Sequence, residues 1–214
     1  WREVGDQVWE RAWMDRFAPM KYGDHLWIVP TGMEIPFDES NIEIHMDPGL
    51  AFGTGTHPTT SLCLEWLDGQ DVTGKGVVDY GCGSGILGIA AALKGAAWVV
   101  CVDNDPQALE ATSDNAVRNG VTDLVQCLAP EAYSENSADF VLANILAGPL
   151  VELAPVLLGS LKPGGTIILS GILEEQAEMV IYAYQAKCHN IYQHEHEGWV
   201  RLEMWTTPRH SESA

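Results

Sequence analysis

The chain has 214 residues, of which 46% are hydrophobic, and a formal net charge of −19. This length suits one domain of ordinary size with a small appendage. Apolar runs such as residues 86–92 are far shorter than the ~20 residues of a membrane span, so we expect no membrane contact. Because phosphate binding needs clustered Lys and Arg, we expect no direct nucleic acid binding either, whereas the negative charge suits a basic partner.

The chain begins at Trp1 rather than Met, which indicates a piece of a longer protein. A linker helix is predicted near this end, because Trp9, Trp13 and Phe17 recur every four residues on one helical face. The predicted division is a linker helix with a short strand, then the main domain, then a disordered tail, over residues 1–35, 36–207 and 208–214.

Two short strands are predicted next, over residues 26–29 and 42–46, and a glycine-rich loop follows them. Pro58 suits the first turn of a helix, where its missing N–H is not needed. Thr56 or His57 can cap that helix at its start.

From Gly74 onward, strands and helices alternate along the chain. Strands are predicted over residues 77–80, 97–102, 124–128, 138–143 and 166–170. Helices are predicted over residues 84–94 and 105–120, over one segment containing Pro149 and Pro155, and over residues 174–187, with a turn at 162–165. Asp105 and Pro106 are predicted to form the cap and first turn of the second of these helices. Residues 191–195 and 199–205 are predicted to pair about Gly198. The pattern predicts a doubly wound α/β fold with a mostly parallel seven-stranded sheet and a C-terminal antiparallel hairpin.

Residues 77–85 carry a buried strand into a glycine-rich turn and then a helix. Ligands of such sheets bind at the carboxyl ends of the strands, and glycines let the backbone approach them closely. Asp103 ends the next strand, where a carboxylate can accept both hydroxyls of a ribose. Cofactor-binding residues are therefore predicted at Asp79, Gly81, Cys82, Gly83, Ser84, Gly85, Asp103 and Asn104.

Three other sites are excluded by spacing. A dinucleotide loop needs G-x-G-x-x-G, and Ile86 occupies its last position. The glycines at 53 and 55 lack the Lys-Ser/Thr of a phosphate loop. Ser84 lacks the flanking glycines of a nucleophile elbow. Asp79, a carboxylate before the glycines, is better suited to a cationic ligand.

Asn144 follows the predicted strand 138–143 and can orient an amine through its acceptor and two donors, although a polar turn residue is the alternative. No metal site is expected, since His194 and His196 share a strand face without a further ligand at suitable spacing. The five cysteines show no paired spacing, which indicates free, mostly buried thiols in a reducing cytoplasm.

These features resemble a known family. Residues 79–85, Asp103, residues 161–165 and the terminal hairpin are similar to class I S-adenosylmethionine-dependent methyltransferases, whose fold is Rossmann-like. Within that class, the sequences DPGLAFGTGTHPTT at 47–60 and NILAGPL at 144–150 resemble the PrmA family of bacterial ribosomal-protein methyltransferases. This resemblance covers nearly the whole chain.

The resemblance implies methylation of lysine side chains and the α-amino group of the large-subunit ribosomal protein L11, with S-adenosylmethionine as the cofactor. It implies that Asn144 and Leu146 border the target amine and that the loop containing Phe52 and Thr56 closes over the cofactor's methionine moiety. Further cofactor contacts are implied at Thr60, Gly81, Asp103 and Asn144.

The resemblance also implies an N-terminal substrate-recognition domain, which is absent from this sequence. Two alternatives therefore stay open: a cofactor-binding fragment that is inactive without that domain, and an RNA methyltransferase. Aliphatic amines are favoured as targets, because NILA stands at 144–147, where amide and base methyltransferases carry an aromatic residue. His57 is a candidate base or a structural loop residue. We expect a cytoplasmic monomer.

Overall fold

The computed structural model describes residues 18–47, 57–134 and 137–207. The predicted linker helix, Phe52, Thr56 and the tail at 208–214 lie outside these residues. In the described part of the chain, no helix is long and apolar enough to span a membrane.

A small sheet forms at the amino end from β1 (Met20–Tyr22), β2 (Leu26–Val29) and β3 (Ile42–His45). β1 is antiparallel to β2, and β2 is parallel to β3. This small sheet has strands on both sides of residue 36, where the predicted main domain begins. The division at that residue stays a prediction.

The larger sheet has seven strands in the order β6-β5-β4-β7-β8-β10-β9. Its strands are β4 (Gly76–Tyr80), β5 (Trp98–Val102), β6 (Val125–Leu128), β7 (Ala138–Asn144), β8 (Leu161–Leu173), β9 (Cys188–His196) and β10 (Trp199–Thr206). Only β10 runs against its neighbours. The prediction of a mostly parallel seven-stranded sheet closed by an antiparallel hairpin is confirmed.

Helices cover both faces of this sheet, as continuous apolar strands require. The described helices are α1 (Pro58–Asp68), α2 (Ile86–Leu93), α3 (Pro106–Arg118), α4 (Ala147–Glu152), α5 (Ala154–Gly159) and α6 (Ala177–Tyr184). One core packs α1 and α2 with the small sheet, and a second core packs α4, α5 and α6 on the opposite face. The five cysteines are free, and four of them are buried, as predicted.

Two predicted elements differ in the structure. The single helix predicted around Pro149 and Pro155 is two short helices, since the chain leaves α4 at Leu153 and that residue also precedes α5. The turn predicted at 162–165 lies inside β8, where the pairing with β7 skips from Leu161 to Thr166. The turn is therefore accommodated as a bulge in a longer strand.

The small sheet is fixed to α1 by one buried carboxylate. Asp68, in the last turn of α1, accepts hydrogen bonds from the backbone N–H groups of Asp24, His25 and Leu26 at 2.7, 3.2 and 3.0 Å. The Lys94 ammonium donates to the Asp68 carbonyl at 2.8 Å. Because three successive backbone donors converge on one side chain, the β1–β2 turn is held against the end of α1.

Replacing Asp68 by Ala leaves those donors without their partner, and an unsatisfied buried donor costs about 1–3 kcal/mol. We expect Asp68→Ala to lower the free energy of unfolding by roughly 2–4 kcal/mol in urea titrations. Asp114→Ala is the matched control, because Asp114 is an exposed helical aspartate. Equal losses in the two variants would contradict the proposed anchoring.

Candidate active site

A cavity of about 650 Å³ opens at the carboxyl ends of β4, β5 and β7. β4 lies between β5 and β7, and the chain leaves it first towards β5 and β6 and only later returns to β7. Ligands of open α/β sheets bind at such a reversal of strand order. The cavity is lined by the predicted residues His57, Thr60, Asp79, Gly81, Cys82, Gly83, Asp103, Asn104, Asn144 and Leu146.

The glycine turn brings the backbone close to the cavity. The N–H groups of Gly81 and Cys82 donate to the Val102 carbonyl at 2.7 and 3.1 Å, which ties the turn to the end of β5. Gly81 has φ +76°, and a Cβ atom there would collide with the Ile145 side chain. Both facts restrict this position to glycine.

Ser84 and Gly85 do not line the cavity, in contrast to their neighbours. The Ser84 carbonyl accepts a hydrogen bond from Asn115 Nδ2 at 3.0 Å, and Gly85 packs against Thr112. Thr112 Oγ1 also donates to the Gly83 carbonyl at 3.0 Å. These contacts hold Ser84 and Gly85 against α3, where they support the turn; the cofactor contact at these two residues stays a prediction.

The same face of α3 reaches the small sheet. Asn119 Oδ1 accepts from the His45 N–H at 2.8 Å, and Asn119 Nδ2 donates to the His45 carbonyl at 2.9 Å. Thr112, Asn115 and Asn119 are spaced by three and four residues and lie along one helical line. One helix therefore supports both the glycine turn and β3.

Asp103 is held by two backbone donors. Its Oδ2 accepts from the Gly83 N–H at 2.9 Å, and its Oδ1 accepts from the Asp105 N–H at 3.0 Å. A carboxylate has about four acceptor positions, so further hydroxyl donors can bind. Asp105 instead caps α3 through the Gln107 N–H at 2.9 Å, which confirms its predicted capping role. The ribose role of Asp103 stays a prediction.

Asp79 is the most deeply buried acid of the cavity wall, with 1% of its surface exposed. Its pKa is raised to about 7: burial raises it most, the hydrogen bond from the Gly88 N–H at 2.9 Å lowers it, and the charge on Asp103 raises it. A carboxylate that is desolvated in this way gains most from a nearby positive charge.

Asn144, at the end of β7, has a fixed amide. Its Nδ2 donates to Thr60 Oγ1 at 3.2 Å, while its Oδ1 is buried without a hydrogen-bond partner among the described residues. Such an orphaned acceptor costs about 1–3 kcal/mol of stability and requires a donor. Asn144 lines the cavity, so this unsatisfied oxygen lies at the cavity wall.

His57 caps α1, one of the two roles expected at this position. Its Nδ1 accepts from the Thr59 N–H at 3.3 Å, and its ring meets the Trp199 ring edge-on at 4.8 Å between centroids. The same Nδ1 lies 2.9 Å from Thr59 Oγ1. These capping contacts favour a structural role; the base role stays a prediction.

The mouth of the cavity is apolar. Leu146 is 67% exposed, and Pro149 and Leu153 continue the wall on the same helical line. Pro149 and Leu153 are not among the predicted site residues, although their helical spacing from Leu146 is a signal in the sequence. Pro130, Gly171 and Trp199 are not among them either, because only the folded sheet brings them to the cavity.

Among the described residues, no group of three or more His, Cys, Asp or Glu side chains is arranged to hold a metal ion. His194 and His196 lie exposed on β9.

Comparisons with known proteins place the geometry in a family. The family described as ribosomal protein L11 methyltransferase (PrmA) matches residues 1–207. The ribosomal protein L11 methyltransferase of Methylococcus capsulatus is 54% identical, over 94% of this chain and 70% of that protein. That of Pseudomonas aeruginosa strain LESB58 is 55% identical, over 94% of this chain and 68% of that protein.

A solved structure shows the same fold at lower identity. The crystal structure of the ribosomal protein L11 methylase from Lactobacillus delbrueckii subsp. bulgaricus superposes with a TM-score of 0.79 and 30% identity. The match covers 89% of this chain and 98% of that one.

The raised pKa of Asp79 predicts a particular dependence of stability on pH. Between about pH 4 and 7 the folded chain keeps a proton on Asp79 that the unfolded chain has lost, so this residue lowers the free energy of unfolding as pH rises through that window. Asn at this position keeps an oxygen for the Gly88 N–H but does not titrate.

We therefore expect Asp79→Asn to become more stable relative to the unsubstituted chain between pH 5 and pH 8, measured by urea unfolding. Asp114→Asn, at an exposed position, serves as the control and should show a constant difference. A constant difference for Asp79→Asn as well would refute the assignment.

Proposed function

Because the chain belongs to the PrmA family of ribosomal protein L11 methyltransferases, we propose that it transfers methyl groups from S-adenosylmethionine to lysine side-chain amines and the α-amino group of ribosomal protein L11. The observation that carries this proposal is the cavity that Asp79, Asp103 and Asn144 line together at the ends of three strands, where Asn144 Oδ1 has no hydrogen-bond partner among the described residues.

The residues present fit this cofactor. The volume of about 650 Å³ lies within the range of small-molecule sites. Asp103 would accept the ribose hydroxyls, the Gly81 backbone would pass close to the ligand, and Asp79 would lie near its positive charges. Thr60, at the start of α1, and Asn144, at the end of β7, would complete the cofactor contacts. Phe52 and Thr56, which we also propose as contacts, lie outside the described residues.

When bound, the cofactor supplies an electrophilic methyl group on a sulfonium. The protein must present a neutral amine, and a lysine with a pKa of ~10.4 is only about 0.04% neutral at pH 7. The apolar mouth formed by Leu146, Pro149 and Leu153 removes water from the incoming side chain, which lowers its pKa. The released proton passes to water.

Asn144 orients the amine once it is neutral. Because its Nδ2 is held by Thr60 Oγ1, its Oδ1 accepts an N–H of the substrate and leaves the nitrogen lone pair available for the methyl group. Leu146 restricts the path of the alkyl chain. Catalysis by this arrangement is mainly positioning, because the methyl donor is intrinsically reactive.

The proposal includes a cytoplasmic monomer that acts on a basic ribosomal protein without direct nucleic acid or membrane contact. The net charge of −19 supports attraction to a basic partner and opposes binding to phosphates. The RNA methyltransferase alternative has no comparable support among the residues of the cavity.

Cofactor binding is tested by calorimetric titration with S-adenosylmethionine, with NADH as the control ligand. We expect the chain to bind S-adenosylmethionine and not NADH, because the glycine turn lacks a pyrophosphate pattern. Asp103→Ala should weaken binding more than about tenfold, as expected for a lost pair of charge-assisted hydrogen bonds. An unchanged affinity would refute the role of Asp103.

Methyl transfer is tested with radiolabelled cofactor and isolated ribosomal protein L11. We expect label on lysine and α-amino groups, and an Asn144→Ala variant should lose about 100-fold in rate because the amine is no longer oriented. Gln193→Ala, at an exposed amide on β9, is the control and should transfer normally. Cofactor binding without transfer would favour an inactive fragment, and label on RNA would favour the other alternative.

A further inference from the structure

Three neighbouring strands each donate a hydrogen bond to the beginning of α1. Asn144 on β7 donates to Thr60 Oγ1 at 3.2 Å. Ser170 Oγ on β8 lies 3.2 Å from the Thr59 carbonyl, and Arg201 Nη1 on β10 donates to the Leu62 carbonyl at 2.8 Å. β7, β8 and β10 are consecutive in the sheet, so the donors form a row beneath the first turns of the helix.

The middle donor of this row is aligned with a residue of the candidate site. Asn144 and Ser170 are direct partners across β7 and β8. The Ser170 hydroxyl also lies 3.3 Å from the Val200 carbonyl of β10, next to Arg201. Ser170 and Arg201 are buried. Any displacement of α1 along the sheet would therefore change the distance between Thr60 and Asn144.

Arg201 contributes little to stability by charge pairing. Its nearest carboxylate, on Glu203, is 4.0 Å away, and its Nε is buried without a hydrogen-bond partner among the described residues. Burying a guanidinium without a close ion pair costs several kcal/mol. The strong contact that remains is the short hydrogen bond to α1, which points to a geometric role.

We infer that Ser170 and Arg201 are positioning residues, which hold the start of α1 so that Thr60 fixes the orientation of the Asn144 amide at the cavity wall. This inference rests on the proposed function, since it concerns the same site. Neither residue lines the cavity, so each acts on the ligand only through Thr60 and Asn144.

The test is a double-mutant cycle on S-adenosylmethionine affinity, measured by calorimetry. Ser170→Ala and Arg201→Met should each weaken binding about fivefold, the effect of one hydrogen bond. In an Asn144→Ala background the same substitutions should change affinity by less than about twofold, because residues in one network are not additive. Arg201→Lys, which retains a donor, should recover part of the affinity.

Thr206→Val is the matched control. Thr206 Oγ1 lies on β10 and donates to the carbonyls of Lys162 and Gly165, away from α1. Its loss should lower the melting temperature to a degree similar to Ser170→Ala and leave cofactor affinity unchanged.

Unchanged affinity in both single variants, or equal effects in the two backgrounds, would overturn the positioning role while the proposed function stands. An unsubstituted chain that does not bind the cofactor would overturn both proposals. Should Arg201→Met fail to fold, the Ser170→Ala cycle decides the question by itself.

Discussion

The site depends on the reversal of strand order between β4 and β7. The crossovers that follow β4 and β5 pass over one face of the sheet, and the crossover that follows β7 passes over the other. The carboxyl ends of these adjacent strands therefore diverge and leave a crevice. Asp79, Asp103 and Asn144 reach it from three strands, although 65 residues of chain separate the first from the last.

Two groups at this crevice reduce stability in the ligand-free chain. Asp79 is desolvated, and Asn144 Oδ1 has no partner in the described structure. Functional sites commonly hold such unsatisfied groups, because a ligand completes them and the rest of the core offsets their cost. Here each group directly follows a fully buried strand residue, Val78 or Ala143, so their positions are fixed before any ligand arrives.

Periodicity and turn chemistry predicted most of the main sheet and the Asp105 cap. They failed at residues 149–155, where two prolines within seven residues allow either a kinked helix or two short helices. They also failed at residues 162–165, where the predicted turn is a bulge within β8. The glycine turn could be predicted because its residues are contiguous in the sequence. The contacts of Trp199, Ser170 and Arg201 could not be predicted from the sequence, because strand register and packing across the sheet decide them.

The line of polar side chains along α3 links two parts of the molecule. Thr112 and Asn115 support the glycine turn. Asn119 binds β3 through hydrogen bonds to the N–H and the carbonyl of His45. Thr112 and Asn119 are separated by about 10 Å along a rigid helix, at ~1.5 Å per residue. The helix thus couples the two parts, so a ligand that immobilises the glycine turn would also restrain the position of β3.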